Sequence, residues 1–256
     1  MRTITIGAHT VVMYDAIEEL PIKRFHKYNK MLLVDAGIGS TLADFDAHIQ
    51  KAMVYAKSKT PEMAVTELEN LRQNVYMIQS ALSPRNLAFA TLVKTIDGEE
   101  CEDLTDEGLQ KIVDLFADAP VNEMTAPMEA VKKKIDDELQ LYFPHLFDDA
   151  SVKEYYDQMR RRTLVILDNI INGESEKNRE AIERLTMELY TYNKPHVFAG
   201  SDNLEIQHDK NFERMCVTIS QYLHVDPKNY TVLEFYNAFE YVRDLLKAKQ
   251  KRQTAK

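Results

Sequence analysis

RTITIGAHTVVMY, Arg2 to Tyr14, is the stretch on which the fold turns. Ile4 and Ile6 alternate with threonines, a Gly-Ala-His break follows, and a second β-branched run closes the segment. Period-two alternation around a short glycine break is the pattern of a β-hairpin. Almost everything after it carries helical periodicity. A two-stranded ribbon is marginal alone in water. It therefore has three ways to be stable: folding onto the helices of its own chain, pairing with a second hairpin further along, or giving its edge to another subunit.

Composition narrows the class. The chain has 256 residues, 45% hydrophobic and 29% charged, enough for one large or two small domains with a buried core. Seven glycines are too few for the turns of an all-β fold, so helices are expected to dominate. The net charge of −9 speaks against a surface built to neutralise phosphates, and no specific nucleic-acid binding is expected. Lys132-Lys133-Lys134 and Arg160-Arg161-Arg162 lie in helical patterns beside acids and read as solvated or salt-bridged faces. The basic tail from Lys247 to Lys256 reads as a helix end favoured by the dipole. Two cysteines and no CxxC give no disulfide framework, which fits a reducing compartment. No signal-peptide block and no run of the ~20 apolar residues a membrane helix needs are present, so synthesis and use in cytoplasm are expected.

The expected fold is mainly α: a helical bundle with an N-terminal β-hairpin and a small β-hairpin/helix insertion. Residues 1–14 form the ribbon, 15–119 a first helical half with a hairpin near 87–104, and 120–256 a second helical half. Ile22 to Gly37 is a helix ended by Gly37 and Gly39. Thr41 and Asp44 open a second, with Leu42, Phe45, Ile49 and Met53 as its apolar stripe. Thr60-Pro61 opens a third, with Leu68, Leu71, Val75, Ile78 and Leu82 inward and Pro84 after its stop, antiparallel to the second. Asp97-Gly98 marks the internal hairpin, and Thr105 caps a helix with Leu109, Ile112, Val113 and Phe116 inward. Pro120 and Pro127 mark a boundary near 119–127. A Met128–Tyr142 helix, a helix capped by Ser151 and Glu154 and ended by Gly173, two further helices, and a last one capped by Thr231 and Glu234 complete the chain. The segment from Lys194 to Asp209 reads as loop. No fixed-period repeat appears.

Chemistry is thin. Gly37-x-Gly39-Ser40 lacks a P-loop lysine and the third glycine of a dinucleotide fingerprint, and a helix-to-helix turn explains it. Asp44, Asp46 and His48 suggest metal ligands, but Asp46 points away from the other two and a local Asp44–His48 pair on a solvated face suffices. His208-Asp209 has none of the further ligands a metal phosphohydrolase requires. Cys101 in acidic company and Cys216 in an apolar stripe read as structural. No catalytic signature, cofactor site or metal site is expected. Tyrosines crowd the second half, and Tyr236 should lie off the Phe235/Phe239 stripe on a second packed surface.

Three stretches, LPIKRFHKYNKMLLVDAGIGSTLADFDAHI, LAFATLVKTIDGEECEDLTDEGLQKIVDLF and DPKNYTVLEFYNAFEYV, resemble structural proteins of tailed bacteriophages, with the closest likeness to the crAss-like phages. The resemblance implies a non-enzymatic virion protein, a head–tail connector or portal-associated ring component. Such a protein is made in host cytoplasm and resident in the virion. It would form a homo-oligomeric ring that contacts portal or tail components while DNA passes nearby. The alternatives are a tail-assembly chaperone or scaffold absent from the mature particle, and a metal- or nucleotide-dependent enzyme using the Asp35–His48 region. On the first reading Ile4, Ile6, Val11 and Met13 of the ribbon and Tyr236 and Tyr241 of the last helix are the contact residues. Deleting residues 1–14 is then expected to leave a folded helical monomer that assembles poorly.

Overall fold

The computed structural model describes residues 1–146, 150–192, 194–201 and 203–254, without the side chains of 121–122, 150–153, 191 and 251–254. Among the described residues it is mainly α-helical, with a single four-stranded antiparallel sheet.

The sheet answers the question of the ribbon. Strands β1 (Arg2–Ile6) and β2 (His9–Met13) form a hairpin whose turn begins at Gly7, φ +55°. β2 then pairs with β3 (Val93–Ile96), and β3 with β4 (Glu99–Glu100), in the order β1-β2-β3-β4. Val11 faces Ile96 and Val12 faces Thr95, with an irregularity between Val12 and Met13. The ribbon therefore pairs with the Asp97-Gly98 hairpin of its own chain. Asp97 (φ +51°) and Gly98 (φ +89°) make the left-handed turn that Asp-Gly favours. The Asp97 carboxylate reaches back across the sheet, accepting from Thr10 N–H at 2.8 Å and meeting His9 Nδ1 at 2.7 Å.

Behind the sheet lies α1 (Ile22–Gly37), which packs on α4 (Pro84–Leu92). The expected hairpin near 87–104 shrinks here. Residues 87–92 are helix and only 93–96 and 99–100 are strand. Leu87 to Leu92 are buried on every side, and an apolar run with no exposed face carries no period by which to tell strand from helix. The local signal was the cap. Ser83 accepts from Asn86 N–H at 3.3 Å, and Pro84 takes the first helical position rather than following the previous helix. Arg24 of α1 is buried and donates to the Thr91, Val93 and Cys101 carbonyls, where helix gives way to strand. Burial lowers its pKa from the ordinary value, and its guanidinium also lies over the Tyr14 ring.

Thr105 caps α5 (Asp106–Leu115), which buries Leu109, Ile112 and Phe116 as expected. The expected break at Pro127 does not occur: α6 (Val121–Tyr142) starts after Pro120 and carries Pro127 inside it. One continuous stripe, Met124, Met128, Val131, Ile135 and Leu139, holds it on the core. Two α6 carboxylates grip the N-terminal segment, Glu123 accepting from Gly7 N–H and Glu138 from Ile17 N–H, each at 2.9 Å. Helices α9 (Leu204–Leu223) and α10 (Val232–Thr254) complete the core through Phe212, Ile219, Val232 and Phe235. The segment before α10 lies against the entry to α1: Ile22 N–H donates to Tyr230 C=O and Val232 N–H to Leu20 C=O, each at 2.9 Å. The Thr231–Glu234 capping box forms as expected. One hydrophobic core thus runs from Ile6 to Phe235, across the 119/120 boundary.

Two helical hairpins stand around this core. α2 (Leu42–Ala56) and α3 (Glu62–Gln79) are antiparallel, with the Thr41–Asp44 capping box in place. Thr60 does not cap α3; Pro61 sits at the cap position and the Thr60 amide donates to Ser58 Oγ. α7 (Ala150–Asn172) and α8 (Glu176–Tyr192) turn at Gly173, φ +86°, and pack chiefly on each other. The expected Ser151 cap lies outside the described side chains. Of the segment from Lys194, residues 194–201 are loop and α9 takes the part from Leu204.

Candidate interaction surface

The six contact residues expected from sequence divide sharply. Ile6, Val11 and Met13 have no exposed surface, and Ile4 packs against the same core, so the ribbon's apolar face meets its own chain and not a neighbour. The reason is register: with β2 between β1 and β3, the 4-6-11-13 face is the face that covers α1, α4 and α6. Tyr236 is half-buried, inside a ring cluster with Phe25, Phe143 and Phe235, and burial raises its phenol pKa. Tyr241 is exposed.

The polar groups singled out in the sequence are tied down. Gly37 and Gly39 make the α1–α2 turn. Asp44 is committed to its box, accepting from Thr41 N–H and Ser40 N–H. The expected Asp44–His48 pair does not form. His48 is buried, with Nδ1 at 2.6 Å from Glu67 Oε2 and Nε2 at 2.9 Å from Ile38 C=O. A carbonyl can only accept, so Nε2 is the donor to Ile38. His208 stacks on His26, ring centroids 4.4 Å apart, and His26 stacks in turn on Phe212 at 4.1 Å. Asp209 takes His26 Nε2 at 2.9 Å and Lys30 Nζ at 2.7 Å. Burial raises both thiols above their ordinary value, Cys216 to about 11. Lys134 bridges to Asp15 and Arg162 donates to Thr186, while Arg160 and Arg161 are exposed. Among the described residues, no group of three or more His, Cys, Asp and Glu side chains is placed to hold a metal, and no helix is long and apolar enough to cross a membrane.

What the sequence reading missed is the orientation of the two outer hairpins. α3 buries Glu67, Asn70 and Asn74, a polar stripe. Glu67 meets His48, and the amides, with Gln73 beside them, satisfy backbone that has no helical partner. Asn74 Nδ2 donates to Ile38 C=O at the end of α1, Asn70 Nδ2 to His196 C=O, and Gln73 Nε2 to Phe198 C=O. Phe198 anchors that loop in a small second core with Val34 and Ile38. The rotation turns Val65, Leu68 and Tyr76 outward, and with them Leu42 and Met53 of α2.

α7 shows the same inversion more strongly. The residues it tucks towards α8 are Tyr155, Gln158, Met159, Arg162, Val165, Ile166 and Asn169, a mixed seam. Its other side carries Leu164, Leu167, Ile170 and Ile171, exposed by 57, 45, 72 and 76%. At 100° per residue this aliphatic face is centred ~140° from the seam. Nothing among the described residues covers it. The signal was in the sequence: nine of the residues from Tyr155 to Ile171 are apolar or aromatic and they encircle the helix, one side more than a single neighbouring helix can bury. Between the α2–α3 turn and α8 lies a further apolar groove of about 430 Å³, where Tyr55 O–H donates to Tyr190 C=O at 2.9 Å.

Comparison with family models, with curated proteins and with solved structures returns no match.

Proposed function

We propose that the chain is a non-enzymatic assembly protein that works by apposing helical faces to other polypeptides. The observation that carries this reading is the aliphatic face of α7. Four large apolar side chains stand in water on one helix while Gln158, Arg162 and Asn169 take places in its inner seam. Exposing a contiguous apolar face has a solvation cost of ~25 cal/mol per Å², which only a partner removes. The outward Val65, Leu68 and Tyr76 of α3 offer a second such face on the other hairpin. The rigid core beneath, with its ribbon closed into an intramolecular sheet, serves as a platform that holds both hairpins.

The resemblance to tailed-phage structural proteins supplies the setting: a component of the virion, at the portal or tail. The net charge of −9 suits a neighbour of sliding DNA, since phosphates are repelled rather than held. The role then falls to the helical hairpins, with the ribbon as part of the platform. Quantitative mass spectrometry of purified particles tests it. A fixed stoichiometry with portal or tail proteins, at a copy number matching a closed ring, supports the reading. Presence in assembly intermediates but not in finished particles makes the chain a scaffold or chaperone. Absence from both overturns an assembly role.

A further inference from the structure

We infer that the cleft between α3, the end of α1 and the loop after α8 binds a small acidic amino acid, its ammonium on Glu67 and Asn70 and its two carboxylates on Lys51 and Lys194. This site stands apart from the helical faces of the assembly reading and does not depend on it.

Glu67 is the starting point. Its side chain is 3% exposed, and a carboxylate so deep is tolerated only where partners replace water. His48 takes one oxygen, Oε2, at 2.6 Å, and His48 is itself fixed by the Ile38 carbonyl at 2.9 Å. The other oxygen, Oε1, accepts nothing from the described residues and is not sealed from solvent; the cleft that Glu67 lines is its opening. Asn70 lines the same cleft and repeats the pattern three residues on. Its Nδ2 is committed to His196 C=O at 2.9 Å, so the group it has left is the amide oxygen, an acceptor. Residues three apart on a helix are neighbours, which sets the two acceptors side by side. Ala36 and Gly37 bring the C-terminal end of α1 to the same space, where the helix dipole is negative. A carboxylate oxygen, an amide oxygen and a helix C-terminus all ask for a donor with positive charge.

The rim has the opposite sign. Lys51 of α2 and Lys194 of the loop line the cleft, and neither ammonium lies within 4.0 Å of a carboxylate oxygen among the described residues. That is unusual in a chain of net charge −9, where acids outnumber lysines and arginines by 41 to 32. Donor-seeking groups at the floor and two unpaired ammoniums at the rim complement a molecule with a positive end and two negative groups. The cleft has a volume of about 290 Å³. This is near the lower end of the ~300–1,000 Å³ of small-molecule sites, so the ligand is a single amino acid and not a peptide. Tyr192 and Pro195 supply wall for its methylenes.

The test is isothermal titration calorimetry on the full chain with L-glutamate and L-aspartate, taken to ~10 mM so that even a millimolar site is filled. At least one of the two is expected to bind with one site per chain. Glutarate lacks the ammonium and butylamine lacks both carboxylates; each is expected to bind about tenfold more weakly or worse, the loss of a charge-assisted hydrogen bond. Lys51→Ser/Lys194→Ser is expected to weaken the amino acid by about tenfold or more at an unchanged melting temperature, because both side chains reach solvent. Glu67→Gln keeps the shape, removes the charge and is expected to lose binding; should it fail to fold, the lysine variant decides. Amide shifts on titration are expected at Gly37, Asn70 and His196. No binding of either amino acid overturns the inference. So does glutarate binding as tightly as L-glutamate, which would make the rim a plain anion patch. Undiminished affinity in the lysine variant, or shifts centred elsewhere, also overturns it.

Discussion

At the scale of single residues, close packing and buried polar contacts decide more than side-chain chemistry does. Gly37 lies at the end of α1 with the Phe198 ring against it; a β-carbon there would stand 2.3 Å from Cε2. Helix propensity favours alanine over glycine by ~1 kcal/mol, but overpacking of a filled site costs about 1–3 kcal/mol. Gly37→Ala is therefore expected to lower the urea midpoint, and Phe198→Leu in the same chain to recover part of the loss. Recovery absent from the double variant would show that the ring is not the obstacle. The His208–His26–Phe212 stack carries a pH dependence. Burial lowers the His26 pKa first, Asp209 pulls it back up, and the neighbouring His208 and Lys30 lower it again, leaving it below the ordinary 6.5. The folded state thus prefers neutral His26, and the unfolded chain binds the proton more readily. Stability from this site is full above about pH 6.5, falls as pH drops below that value, and levels off under the folded-state pKa. The difference in urea midpoint between pH 7.5 and 5.5 is expected to shrink in His26→Phe. An unchanged difference would place the titration elsewhere.

At the scale of elements, the chain is legible where local chemistry and burial agree. Thr41–Asp44, Thr105 and Thr231–Glu234 cap the helices expected of them, and Asp97-Gly98 turns the hairpin. It was misread where they part. Leu87–Leu92 has no periodicity to read because no side of it is exposed. α3 turns Val65, Leu68 and Tyr76 to water and buries a polar stripe, because Asn70 and Gln73 satisfy the backbone of a loop more than a hundred residues away in sequence, Asn74 satisfies the end of α1 and Glu67 meets His48. Such a demand for hydrogen bonds is tertiary and leaves no mark in the helix itself. Of the contact residues expected from sequence, Tyr241 alone is an exposed one; the larger surface on α7 was hidden by taking every apolar stripe as core. The outer hairpins should also be less stable locally than the platform. α7 and α8 pack chiefly on each other through a seam that includes Gln158, Arg162 and Asn169, with Gln158 Oε1 and Asn169 Oδ1 buried without a hydrogen-bond partner among the described residues. Amide exchange between Tyr155 and Met187, measured at low concentration, is expected to run orders of magnitude faster than in α1 or α4. Equal protection would mean that the hairpin unfolds only with the whole molecule.

At the scale of the whole molecule, the N-terminal ribbon decides whether there is one folding unit or a bundle with an accessory. Read as an accessory, its removal leaves a folded monomer. The structure makes it a wall of the core. Ile6, Val11 and Met13 are fully buried, β2 supplies the edge on which β3 pairs, and Tyr14 N–H donates to Leu92 C=O at 2.9 Å. Burial of a side chain of this size is worth about 1.5–3 kcal/mol, so three of them approach the 5–15 kcal/mol of a typical domain. Loss of β2 also uncovers the inner edge of β3 and the apolar faces of α1 and α4. A chain lacking residues 1–14 is therefore expected to lose cooperative thermal unfolding and its near-ultraviolet aromatic signal while keeping much of its far-ultraviolet helicity, since the helices retain their caps. It should bind an apolar dye that the full chain does not. A truncated chain that melts cooperatively within a few degrees of the full one would return the ribbon to the periphery and free its strand edge for a neighbouring subunit.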